Sequence, residues 1–89
     1  MSPEVEIEIG FAEDSVTPDC LTIGGRVIRG QLSEGAKGYI EVDSSRLPLI
    51  VKDIAFLRGA KPDAIMFTVA KPSIVLDLKK LAGLSFCIG

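Results

Sequence analysis

The stretch Gly25-Arg26-Val27-Ile28-Arg29-Gly30-Gln31-Leu32-Ser33-Glu34-Gly35 constrains the fold more than any other part of the chain. Leu21, Ile23 and Val27 share one face of a strand that leads into it, with Gly25 at the intervening position. Glycine adopts positive φ without the steric cost that a Cβ brings. Gly30 and Gly35 therefore bracket a turn, and a second strand begins beyond it. Gly24-Gly25 inside the first strand predicts a bulge, a bend or the close approach of another backbone, and small barrels turn corners at such points.

The rest of the chain repeats this strand-and-turn rhythm. Val5, Ile7 and Ile9 alternate with Glu6 and Glu8, the pattern of a strand with one wet face; the outward glutamates suit an edge that must not pair with other chains. Glu13 to Asp19 reads as a loop. Gly38 to Asp43 alternates again, with Ile40 and Val42 inward and Tyr39 outward, and Ser44-Ser45-Arg46-Leu47-Pro48 reads as a turn or loop. Leu49 to Leu57 is apolar on both faces apart from Lys52 and Asp53, which predicts a central strand covered on both sides for part of its length. Ile65, Phe67 and Val69 point inward on the next strand. Ile74, Leu78 and Leu81 lie at helical spacing between an N-cap at Ser73 and a C′ glycine at Gly83, while Ile74-Val75-Leu76 equally suits the start of a strand; of the two, a short helical turn near residues 73–81 is the expectation. Leu84, Phe86 and Ile88 form the last strand. The expected fold is all-β: a small closed or partly closed antiparallel barrel of six to seven strands. A chain of 89 residues is expected to form one domain, with an N-terminal strand and loop over 1–19 and the barrel over 20–89.

Composition excludes several chemistries. There is no His, which removes Ser-His-Asp and Cys-His catalysis and His-containing zinc sites. Two cysteines cannot supply four zinc ligands, and the acidic residues lack calcium-loop spacing. No metal or cofactor is expected. Ten basic and twelve acidic residues leave the chain near neutral, without the basic excess usual in nucleic-acid binders. No signal peptide is visible and no apolar run reaches the ~18 residues of a membrane span, so a cytoplasmic location without membrane contact is expected.

Four pieces of sequence resemble domain 2 of the translational GTPases, the small β-barrel of elongation factor Tu and its relatives. They are Leu21-Thr22-Ile23 leading into Gly25-Arg26-Val27-x-x-Gly30 and Leu32-x-x-Gly35; Ile50-Val51-Lys52-Asp53-Ile54; Ala64-Ile65-Met66-Phe67-Thr68-Val69; and Lys79-Lys80-Leu81-Ala82-Gly83 with the strand after it. Together they cover about residues 20–88. No Gly-x-x-x-x-Gly-Lys-Ser/Thr loop accompanies them, so GTP binding is not expected. The resemblance implies a stand-alone barrel that contacts ribosomal RNA, tRNA or a translation or ribonucleoprotein component. A barrel of this type also occurs in a small protein of pseudouridylation ribonucleoproteins, and fold alone does not assign function.

On this reading Arg26, Arg29, Lys52, Arg58 and Lys61 are candidate contacts to phosphate, with Lys71 a further basic residue of the strand-rich region. Strand parity puts Arg29 on the face of Leu21, Ile23 and Val27, and Arg26 on the other. Tyr39, followed by Phe11, is the candidate stacking platform, and Phe67 and Phe86 belong to the core. Outward charge on a strand is more often ordinary solvated surface, and an outward Tyr more often packs across strands. Glu6, Glu8, Glu13, Asp14 and Asp19 make the N-terminal third acidic, read as solvated edge protection. Cys20 begins the first barrel strand and Cys87 lies near the end of the last. Two separate reduced thiols are the default expectation; if those strands pair to close the barrel, a disulfide becomes feasible at a Cα separation of about 4.4–6.8 Å. The functional expectation is a non-catalytic binding module for RNA or a ribonucleoprotein partner, with a protein-interaction or homo-oligomeric assembly module as the alternative. An enzyme is disfavoured by the lack of a nucleophile–base motif.

Overall fold

The computed structural model describes residues 4–17, 19–55, 63–72 and 77–89. Six strands follow in order: β1 (Val5–Asp14), β2 (Cys20–Arg29), β3 (Lys37–Val42), β4 (Ser45–Ala55), β5 (Ala64–Ala70) and β6 (Ser85–Ile88), with a 3-10 turn at Leu78–Leu81 between the last two. They close into an antiparallel barrel in the spatial order β1-β2-β5-β4-β3-β6, with β6 returning to β1. The expected class is therefore observed. Arg58 and Lys61 lie outside the described residues, as do Phe56 and the start of the expected helical turn.

Alternation places the core as the sequence predicts. Ile7, Ile9, Leu21, Ile23, Ile40, Phe67, Val69 and Phe86 are each almost wholly buried. The Phe67 and Phe86 rings meet at 5.3 Å between centroids with a 51° tilt, a geometry that adds about 0.5–1.5 kcal/mol beyond area burial. Among the described residues no polar or charged side chain is buried. The interior of so small a barrel is filled by side chains, so no internal ligand cavity is formed by the described core residues.

Three β-bulges correct the simple alternation. On β2 the extra residue is Ile28: Glu6 pairs with Arg29 while Ile7 pairs with Val27. The bulge shifts the parity, so Arg29 is exposed on the outer wall with Arg26 rather than on the face of Val27. On β1 the extra residue is Gly10, since Ile9 pairs with Gly25 and Phe11 with Gly24. The Gly24-Gly25 pair thus marks a close backbone approach, and the bulge itself lies on the facing strand. On β4 the extra residue is Lys52, between Val51 and Asp53. It lets Ile54 return to the core after Val51. The expectation of a β4 covered on both faces is not met: Leu47, Leu49 and Val51 are buried, while Ile50 is 38% exposed.

The expected loop at Ser44–Pro48 is instead a hairpin. Val42 pairs with Ser45 across a two-residue turn in which Asp43 and Ser44 have φ of 51° and 67°, the left-handed pair of a type I′ turn. Hydrogen-bonded pairs alternate along an antiparallel ladder. Counting from that turn puts Tyr39 and Pro48 at a non-hydrogen-bonded pair, where the missing proline N–H costs β3 nothing. The β4–β5 pairing begins only at Val51.

Closure also removes the edge that Glu6 and Glu8 were expected to guard. β1 pairs with β2 along its length and with β6 from Val5 to Glu8, so the N-terminal strand is a stave of the barrel rather than an addition to it. The 3-10 turn packs against β1 with Leu81 fully buried. Its cap is the Asp77 side chain, which accepts from the Lys79 N–H at 3.1 Å; the expected cap, Ser73, lies outside the described residues. Gly83 has the positive φ (88°) expected of a C′ residue, and its N–H donates to the Ile9 carbonyl at 2.8 Å.

Candidate functional site on the outer wall

A concavity of about 480 Å³ lies on the wall formed by β1, β6 and β3, lined by Glu6, Tyr39, Glu41, Gly83, Leu84, Ser85 and Cys87. Strand register creates it. One cross-strand row runs Arg29–Glu6–Cys87–Tyr39–Pro48 over β2, β1, β6, β3 and β4. The β3–β6 ladder holds only two residue pairs, Tyr39–Cys87 and Ile40–Phe86. β3 continues past it through Glu41 and Val42, while the chain preceding β6 turns off at Gly83 towards the 3-10 turn. The wall dips where that seam is short.

The site combines an aromatic ring with carboxyl groups. The Arg46 guanidinium carbon lies 4.3 Å from the Tyr39 ring centroid, and Arg46 Nε is 3.7 Å from Glu41 Oε1. Arg46 and Glu41 are Cα partners across the hairpin, and Tyr39 is the next outward residue on β3. Both members of the ion pair are about two-thirds exposed, which limits it to about 0–1 kcal/mol. Among the described residues Glu6 makes no ion pair, although Arg29 is its Cα partner. The Cys87 thiol is held above its ordinary pKa by partial burial first, then by Glu6 and Glu41, with Arg46 opposing. The shift disfavours the thiolate, the form in which a cysteine attacks as a nucleophile. Among the described residues no three His, Cys, Asp or Glu groups form a metal-binding cluster, and no helix is long and apolar enough to cross a membrane.

The candidate basic residues are dispersed. Arg26 is held between Glu8 (3.5 Å) and Asp63 (3.9 Å), and Lys71 binds Asp14 at 3.1 Å. Arg29 and Lys52 are exposed, but the β5 neighbours of Lys52 pair with Leu21 and Thr22 at the far end of β2 from Arg29. Seven residues of β2 separate the two levels, roughly 23 Å at about 3.3 Å per residue. Phe11 packs its ring over Gly24 and stays 44% exposed, distant in register from Tyr39.

Both cysteines are free. The condition for a disulfide fails because β1 intervenes between β2 and β6. Cys87 pairs with Glu6 at one end of β1, whereas Cys20 adjoins the Leu21–Asp14 pair at the other. That is roughly 26 Å of strand at about 3.3 Å per residue. Sequence reasoning missed Glu41 and Arg46, and gave Glu6 a different role. A hairpin at Asp43-Ser44 sets Glu41 opposite Arg46, but a turn lacking glycine carries a weak signal for that hairpin.

Comparison with family models, curated proteins and solved structures finds no match to this chain. The class that fold and site define is a small all-β protein, a closed six-stranded antiparallel barrel with an acidic, aromatic concavity on its wall.

Proposed function

We propose that this barrel is a non-catalytic binding module that engages a protein partner through the β1–β6–β3 wall. The observation that carries this reading is the concavity itself: it presents Tyr39, Glu6 and Glu41 together, whereas among the candidate phosphate contacts Arg26 is held in ion pairs and Arg29 and Lys52 stand far apart. Partial burial and the carboxylates of Glu6 and Glu41 raise the Cys87 pKa, which disfavours the thiolate that a cysteine nucleophile needs and leaves the concavity as a recognition surface. The resemblance to the translation-factor barrel supports the same class of activity, and a protein component of a ribonucleoprotein fits both.

A second reading, direct RNA contact, is favoured by the exposure of Arg29 and Lys52, neither of which makes an ion pair among the described residues. Site-specific photocrosslinking separates the two. A benzophenone amino acid is placed at Ser85, inside the concavity, or at Thr68 on the opposite stave β5, and irradiated in lysate of the source cells. The protein reading expects a discrete polypeptide adduct at position 85 that survives ribonuclease and is missing at position 68. Adducts equal at both positions, or no adduct, overturn it. Ribonuclease-sensitive adducts from probes at positions 29 and 52 establish the RNA reading in its place.

A further inference from the structure

We infer that the concavity is a receptor for a guanidinium side chain of the partner, and that Arg46 is its built-in competitor. The inference rests on the protein-binding reading of the same wall. Arg46 does not itself line the concavity, but from β4 its guanidinium lies over the Tyr39 ring and against Glu41, so it competes for two of the groups that an incoming cation would meet. A planar, weakly hydrated cation suits both contacts, through the ring quadrupole and through charge-assisted hydrogen bonding.

Arg46 leaves the site incompletely neutralised. It reaches Glu41, but Glu6, on the far side of the Cys87 stave, has no ion pair among the described residues. Glu6 and Glu41 line the same concavity from the two sides of the Cys87 stave, which sets two carboxylates around one opening. An external guanidinium entering from solvent can lie between the two carboxylates and against Tyr39. Arg46, anchored on β4, engages only one of them. The incoming side chain therefore gains a carboxylate that the resident lacks. The resident is easily displaced: it is 67% exposed and held by one surface ion pair and one cation–π contact, each weak in water. A lysine ammonium would retain the charge but not the planar fit.

The test is an NMR titration of isotopically labelled full-length protein with N-acetyl-arginine amide, with the lysine analogue, and with the citrulline analogue, the neutral isostere of arginine. The arginine probe is expected to give saturable shifts confined to Glu6, Tyr39, Glu41, Ser85 and Cys87, the lysine probe weaker ones, and citrulline none. Arg46→Ala is expected to tighten arginine binding about threefold, the order of one exposed cation–π contact. Glu6→Gln is expected to weaken it at least threefold, although Glu6 does not pair with Arg46. Both residues are on the outer wall, and Arg46→Gln provides a second route to the open site if the alanine variant loses its dispersed spectrum. Equal shifts from citrulline, shifts scattered over the barrel, or an affinity indifferent to both Arg46 and Glu6 overturn the inference. If the arginine probe fails while the position 85 crosslink to a polypeptide stands, the guanidinium inference alone is lost. If the probe binds and no crosslink forms, the partner reading is lost and the pocket chemistry remains.

Discussion

Gly25 lies so close to the Glu8 carbonyl that a Cβ at position 25 would overlap its oxygen. The contact is backbone against side-chain position, so it cannot be relieved by a rotamer change. It occurs beside the Gly10 bulge, where β1 bends across β2. Gly25→Ala is expected to destabilise the barrel by about 3 kcal/mol, the upper end of overpacking costs. At Gly24 the obstacle is the Phe11 ring, which is half exposed and can swing out, so Gly24→Ala is expected to cost about 1 kcal/mol. At Gly10 an added Cβ makes only ordinary contacts, 3.5 Å from the Gly24 oxygen, and Gly10→Ala should stay within about 0.5 kcal/mol of the parent. Urea midpoints in that order confirm the close approach; equal midpoints for positions 10 and 25 contradict it.

Ser44 holds a φ of 67° next to Asp43 at 51°. Each residue with a Cβ in this region is strained by about 1–2 kcal/mol. Ser44→Gly is therefore expected to raise stability by about 1 kcal/mol, reduced somewhat by the added flexibility of the unfolded chain. Thermal unfolding reads the gain directly, and a lowered midpoint would mean that the turn is not the type I′ form.

Leu81 plugs the barrel from the 3-10 turn and is fully buried. Leu81→Ala is expected to cost about 2–5 kcal/mol, through lost burial and the cavity left behind. Asp77→Ala removes the cap on the Lys79 N–H and should cost about 1 kcal/mol. If Leu81→Ala proves no worse than Asp77→Ala in denaturant titration, the turn does not close the core.

Cys87 makes a pH-dependent prediction. Its thiol pKa is raised by burial and by Glu6 and Glu41, so iodoacetamide modification in the folded protein should stay slower than that of a free thiol until the pH passes the ordinary thiol range. Glu6→Gln with Glu41→Gln should speed modification at a fixed alkaline pH without restoring the free-thiol rate, because burial is the larger cause. The folded state holds this proton more tightly than the unfolded chain, so the contribution to stability is complete below the ordinary thiol pKa and is lost as pH rises through the raised one. Alkylation faster than that of a model thiol at neutral pH would refute the assignment.

The two cysteines should also titrate as two thiols per chain in denaturant without reductant, and reductant should leave the thermal midpoint unchanged. One disulfide in that assay would require β2 and β6 to be neighbours, contrary to the closure through β1.

The candidate site was legible only in part. Tyr39 was placed outward by alternation within its own strand, a local property. Its partners Glu41 and Arg46 depend on a hairpin whose turn residues, Asp43 and Ser44, lack the glycine that advertises a type I′ turn. Arg26 and Arg29 were set on opposite faces because period-2 counting does not see the Ile28 bulge, which is recognised only against the facing β1.

From the sequence alone came the all-β class, the turn at Gly30 and Gly35 and the inward set Val5, Ile7, Ile9, Leu21, Ile23, Ile40, Phe67, Val69 and Phe86. Steric freedom at glycine and side-chain alternation act within a few residues, so they can be read without a partner. Tertiary structure decided the order β1-β2-β5-β4-β3-β6, the three bulges and the separation of Cys20 from Cys87. It also decided the meeting of Glu6, Tyr39, Glu41 and Cys87 on one wall. Those depend on which backbone hydrogen bonds form across distant parts of the chain, and a closed barrel satisfies every stave against two neighbours at once. Local pattern sets which face of a strand is wet; closure sets what stands beside it.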